Sequence, residues 1–88
     1  MNATTTREQA AILDAIRTNT TAGGWSPLAA VREDAALTRP DFDLAMTELA
    51  IAGLVVLVPE DNQKTLRPAD HSAALYVGGE HKHLAQIA

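Results

Sequence analysis

Residues 38–58 read TRPDFDLAMTELAIAGLVVLV, and the fold class turns on them. Thr38 offers a side-chain oxygen to the free amides of a helix start. Pro40 falls in the first turn, where its missing N–H costs nothing, and Asp41 and Asp43 place negative charge where the helix dipole favours it. Phe42, Ala45, Met46 and Leu49 then recur at the spacing of a buried helical stripe. Gly53 supplies a C-terminal stop, and Leu54 to Val58 continues as an apolar run of strand formers closed by Pro59. The pattern predicts a helix that passes through a glycine turn into a strand.

Toward the N-terminus, Ser26 and Pro27 predict a second helix start, with the Ser26 hydroxyl as its cap. Leu28, Val31 and Ala35 form the inner face of that helix, and Arg32, Glu33 and Asp34 lie outside. An earlier helix begins after Thr4, Thr5 or Thr6, because Thr5 with Glu8 or Thr6 with Gln9 makes a capping box. Ile12, Leu13 and Ile16 are its buried stripe; the helix fades over Thr18 to Thr21 and is stopped by Gly23 and Gly24. Toward the C-terminus, Glu60 to Gln63 reads as a polar turn from which Lys64 to Arg67 returns as a second strand, giving a β-hairpin. Pro68 opens a short helical segment through Leu75, Gly78 and Gly79 break it, and His81 to Ile87 extends as a closing strand. The expected fold is α+β, one domain over residues 1–88: three helices, a hairpin, then a short closing helix and strand.

The segment from Ser26 to Pro68 resembles the winged helix-turn-helix superfamily. ALTRP stands where the second helix hands over to the third, and Phe42 to Leu57 is similar to a third helix followed by the first wing strand. The closing ALYVGGEHKHLAQI is similar to the tails of small bacterial winged-helix modules. The resemblance implies a short first strand at Trp25, a wing at the hairpin, and a third helix that often enters the DNA major groove. These motifs are packing patterns, so they carry a fold and transfer no active-site residue.

Composition bounds the function. A chain of 88 residues builds a small core with little volume for an interior active site. Hydrophobic residues make up 47% and charged residues 20%, which is ordinary globular material. Trp25, Phe42 and Tyr76 are the only aromatics of the Phe, Trp and Tyr type, so aliphatic side chains must fill the interior. Cysteine is absent, which excludes disulfides and thiolate metal sites and accords with a reducing compartment. No apolar run approaches the roughly 20 residues that cross a bilayer, and Met1 to Thr6 lacks the parts of a signal peptide. A soluble cytoplasmic protein is the expectation. The net charge of −4 is the wrong sign for a domain that neutralises many phosphates.

The third helix sharpens that point. At about 100° per residue, Leu44 and Ile51 fall opposite the core stripe, with Thr47 and Glu48 between them. This outward face holds no Lys, Arg, Asn or Gln, the residue types that mainly read base edges. It suits a protein surface, and Leu44, Thr47, Glu48 and Ile51 are the candidate interface, with Ala52 and Val55 nearby. Isolated exposed aliphatics are common, and the closing segment folding over this face is the competing reading. Arg39, Lys64, Arg67 and Lys82 are the candidate contacts to a DNA backbone.

His81 and His83 are the only ligand-like pair, alternate residues on a strand, with His71, Asp70 and Glu80 as distant helpers. Without a fixed third ligand they read as surface or structural groups, and neither a metal nor a cofactor is implied. Gly78-Gly79 lacks the strand, helix and lysine of a phosphate loop, and Ser26 has no histidine pattern to activate it. Two function classes follow. The first is a non-catalytic module that binds another protein or a second copy of itself through the third helix. The alternative is a dimeric DNA-binding regulator. No membrane and no small-molecule substrate is implied.

Overall fold

The Thr6 hydroxyl accepts from the Gln9 amide at 3.1 Å, and the Gln9 carboxamide oxygen accepts from the Thr6 amide at 3.2 Å. The second of the two capping boxes therefore opens the first helix, α1, Arg7–Asn19. This is a computed structural model that describes residues 5–88; Thr4 lies outside the described residues. Ile12, Ala15 and Ile16 are buried on one face of α1, and Leu13 packs at the edge of the core.

After Gly24 the chain enters a two-residue strand, β1, Ser26–Pro27, and turns at once into α2, Leu28–Ala35. The strand lies one residue beyond Trp25, and Ser26 does not cap α2. Ser26 is buried, and its hydroxyl donates to the Ile16 carbonyl at 2.7 Å, so it ties β1 to α1. The Leu28 amide instead donates to the His83 carbonyl at 2.9 Å. A backbone carbonyl thus satisfies the helix start for which the sequence suggested a side chain. Leu28, Val31 and Ala35 face inward as expected.

The third helix, α3, runs Arg39–Ile51, with the Thr38 hydroxyl accepting from the Asp41 amide at 3.2 Å. Phe42, Ala45, Met46 and Leu49 are buried, and with Ile12, Ile16, Leu28 and Val31 they form the centre of the core. Gly53 adopts φ +77°, and the Leu54 amide donates back to the Leu49 carbonyl at 3.0 Å. That left-handed stop is the helix ending a glycine permits. It launches β2, Val55–Val58.

The hairpin predicted from Lys64 to Arg67 does not form. Asn62 and Thr65 capture the local backbone: the Asn62 side chain accepts from the Lys64 amide, and the Thr65 hydroxyl donates to the Asn62 carbonyl, closing a 3-10 turn over Gln63–Thr65. Pro68 then starts α4, Pro68–Ala73. The partner of β2 is β5, Leu84–Ile87, paired antiparallel in the register Val55↔Ile87 to Val58↔Leu84. β5 pairs on its other side with β1, so the sheet order is β1-β5-β2.

Between β2 and β5 the chain makes an excursion that includes α4 and a hairpin of β3, Leu75–Val77, and β4, Glu80–Lys82. The short helix ends before Leu75, and Gly78 and Gly79 make the hairpin turn, both at positive φ. The closing strand expected over His81 to Ile87 is two strands, broken at His83. The architecture is α+β: helices on one face of a small antiparallel sheet, whose inner row Ser26, Ala85 and Leu57 is buried. Among the described residues no helix is long and apolar enough to cross a membrane.

Candidate recognition surface

The stripe that buries Phe42 and Met46 leaves the opposite side of α3 to solvent. Leu44 is 62% exposed and Ile51 80%, the placement that the helical period predicts. The β3-β4 hairpin runs beside this face without covering it. At the N-terminal end a groove is lined by Arg39, Asp43, Leu44, Thr47, Tyr76 and His81. At the C-terminal end a second groove lies between Ile51, β2 and the hairpin, lined by Val56, Val77 and Lys82 among others. Tyr76 is 62% exposed and stacks edge-on against His81, its cross-strand partner, with ring centroids 4.9 Å apart. Hairpin and helix together present Leu44, Ile51 and Tyr76 as exposed apolar groups. Val55, expected beside the strip, is buried on the inner face of β2, and Val56, which alternates with it, is exposed on the opposite face of the sheet.

The polar members of the face are partly engaged. The Thr47 hydroxyl donates to the Asp43 carbonyl one turn back, and Glu48 accepts from the Gln9 carboxamide at 3.3 Å, linking α3 to α1. Local spacing does not mark Tyr76 as a member of this face. Its signal was the alternation Leu75 in, Tyr76 out, which becomes legible only once the hairpin is recognised.

Arg32 is the main correction among the charged residues. Predicted outside, its side chain is only 14% exposed. The guanidinium lies over the Phe42 ring at 4.3 Å, its Nε donates to the Ala73 carbonyl at 2.7 Å, and Nη2 sits 2.7 Å from Asp43 Oδ1. That last approach is an ion pair without hydrogen-bond alignment. Arg32 thus joins α2, α3 and α4. Its long side chain reaches partners that lie ten or more positions away in sequence.

The four candidate phosphate contacts do not gather on one patch. Arg39 is 3.9 Å from Asp43, Arg67 is 3.3 Å from Asp70, and Lys82 is paired with Glu80. Lys64 stands on the 3-10 turn. Arg39 and Arg67 do line one groove with Arg32, together with Glu33 and Ser72. The Asp70 carboxyl is held below the usual carboxylate range, first by the Arg67 amide that donates to it and then by the Arg67 side chain.

His71, His81 and His83 border a small cavity beside Gln63 and Ala74. His83 is buried and its Nδ1 accepts from the Glu60 amide at 3.0 Å. A metal-bound histidine normally donates its second ring nitrogen, so this bond commits His83 to a structural role. Among the described residues no group of three or more His, Asp or Glu is placed to hold a metal ion.

Comparison with known proteins returns nothing to set beside this geometry: no family model, no curated protein and no solved structure matches the chain.

Proposed function

We propose that this chain is a non-catalytic recognition module of the winged-helix type, acting through the outer face of α3 on another protein, with a second copy of itself as the first partner to test. The carrying observation is the pair Leu44 and Ile51, exposed by 62% and 80%, with exposed Tyr76 lining one groove with Leu44. Exposed apolar groups that are contiguous, not scattered, mark protein contacts. The topology supports the winged-helix class: helix, short strand, helix, helix, strand and strand, with the sheet in the order β1-β5-β2. In this reading the wing is the long excursion from Pro59 to His83, and not a tight hairpin.

The test is the mass of the free protein in solution, measured beside Leu44→Glu with Ile51→Glu. The native chain should associate and the double variant should be monomeric with unchanged helical content. A native chain that stays monomeric and binds no protein partner, or a double variant that associates equally well, would sink the proposal. A DNA-binding regulator is the second reading, favoured by the groove that Arg32, Arg39 and Arg67 share. It requires salt-sensitive duplex binding that is lost on neutralising Lys64 and Arg67. Asp43 and Asp70, each beside one or two of these arginines, weigh against it.

A further inference from the structure

The outer face of the sheet, away from the helices, carries a second surface independent of α3. The register places Leu84 between Pro27 of β1 and Val58 of β2. Directly registered residues point to the same side of a sheet, so the three form one apolar row across all three strands. The row behind it, Ser26, Ala85 and Leu57, is buried, whereas this one is half-exposed. Trp25 and Pro59 extend the row, and Thr21, Glu60 and Asp61 complete the rim of a groove of about 730 Å³. That volume falls within the range of ligand-binding clefts, about 300–1,000 Å³.

Two features give the groove a defined chemistry. Trp25 is the only tryptophan of the chain, and indole is the best of the aromatic faces for a cation. Both ionisable groups on the rim are carboxylates, in a chain whose net charge is −4. Their placement is built in. The Glu60 amide donates to buried His83, the Asn62 amide donates to the Glu60 carboxylate, and the Trp25 carbonyl accepts from both the amide and the hydroxyl of Thr21.

We propose that this groove binds a basic peptide segment in which arginine or lysine alternates with apolar residues. The aliphatic stem of such a side chain can lie along Pro27, Leu84 and Val58 while its head reaches Trp25 and the two carboxylates. Charge complementarity selects this occupant over the others. A second copy offers this face no cation, since the ionisable groups on its own rim are the same two carboxylates, and a nucleic-acid backbone would be repelled by them.

The single tryptophan supplies the readout. Trp25 fluorescence is followed while a short peptide alternating arginine with leucine is added, and then one with glutamate in place of arginine. The arginine peptide should give a saturable change that weakens as salt is raised, and the glutamate peptide none. Glu60→Gln with Asp61→Asn should weaken binding about tenfold, a loss of roughly 1.4 kcal/mol, with circular dichroism unchanged. Asp61→Lys should shift the preference toward the acidic peptide. No response to the arginine peptide, an equal response to both peptides, or unaltered binding by the double variant overturns the proposal. Leu44→Glu should leave this binding intact, which separates its failure from that of the α3 interface.

Discussion

His83 shows how one residue ties the sheet to the loop that follows β2. Its Nδ1 accepts from the Glu60 amide, so the neutral ring carries its proton on Nε2. Burial disfavours the imidazolium, and the neighbouring His71 and His81 add to that, lowering the pKa from its ordinary 6.5. The sign of the stability effect follows. The unfolded chain takes up this proton near pH 6.5, but the folded chain does so only at lower pH, so the unfolded state binds more protons between the two values. The stability that the neutral ring confers is present above pH 6.5 and is lost as pH falls below it toward the folded value. Denaturant midpoints should therefore drop on acidification from about pH 7.5 to about pH 5.5, and His83→Gln should flatten that dependence. An equally steep decline in the variant would assign the effect to other groups. Arg32 makes the complementary case, in which the charge is kept. Arg32→Ala removes the contact with Phe42, the bond to the Ala73 carbonyl and the partner of Asp43, and should cost about 2–3 kcal/mol in chemical denaturation. Arg32→Lys should recover only part of this, because an ammonium cannot stack flat on the ring while bonding sideways.

At the scale of elements, what the sequence made legible is what local rules decide. The Thr6 and Thr38 caps, the stripe of Phe42, Ala45, Met46 and Leu49, and the Gly53 stop all depend on residues within a few positions of one another. Strand partnership does not. The Val55–Val58 strand reads as half of a hairpin because Lys64 to Arg67 lies near, yet its partner is Leu84–Ile87, beyond a helix and another hairpin. The closer segment was lost to Asn62 and Thr65, whose side chains offer its backbone a turn. Half of the candidate surface was legible on the same terms: Leu44 and Ile51 follow from the helical period, whereas Tyr76 and the sheet-face groove depend on long-range pairing. Gly53 permits a clean test of a local rule. A Cβ built there meets nothing within 4 Å, so Gly53→Ala carries no steric penalty from neighbours. Its cost is the left-handed backbone alone, φ +77°, and should be about 1–2 kcal/mol in thermal or chemical unfolding. A loss below a few tenths would mean that the α3 ending relaxes to another conformation.

For the whole molecule, the question is whether the excursion between β2 and β5 is ornament or core. Leu75 is buried with the central cluster, and Arg32 is bonded to the Ala73 carbonyl, so removing the excursion strips contacts from α2. Losing one buried leucine-sized group costs about 2–5 kcal/mol. Against this stands chain entropy: replacing residues 60–82 by a two-residue turn halves the connection about three times, worth about 2 kcal/mol. The β2-β5 pairing itself survives, because Val58 and Leu84 are already register partners and the Val58 carbonyl accepts from the His83 amide at 2.9 Å. The balance predicts a shortened chain that still folds cooperatively, with native-like helical content and a stability lower by at most about 3 kcal/mol, measured by urea denaturation. It should also separate the two proposed surfaces: Leu44 and Ile51 remain, so self-association persists in weakened form without Tyr76, whereas the basic peptide loses Glu60 and Asp61 and should no longer bind. If the shortened chain fails to unfold cooperatively, the excursion belongs to the core, and a three-helix, three-strand unit is not the stable minimum of this sequence.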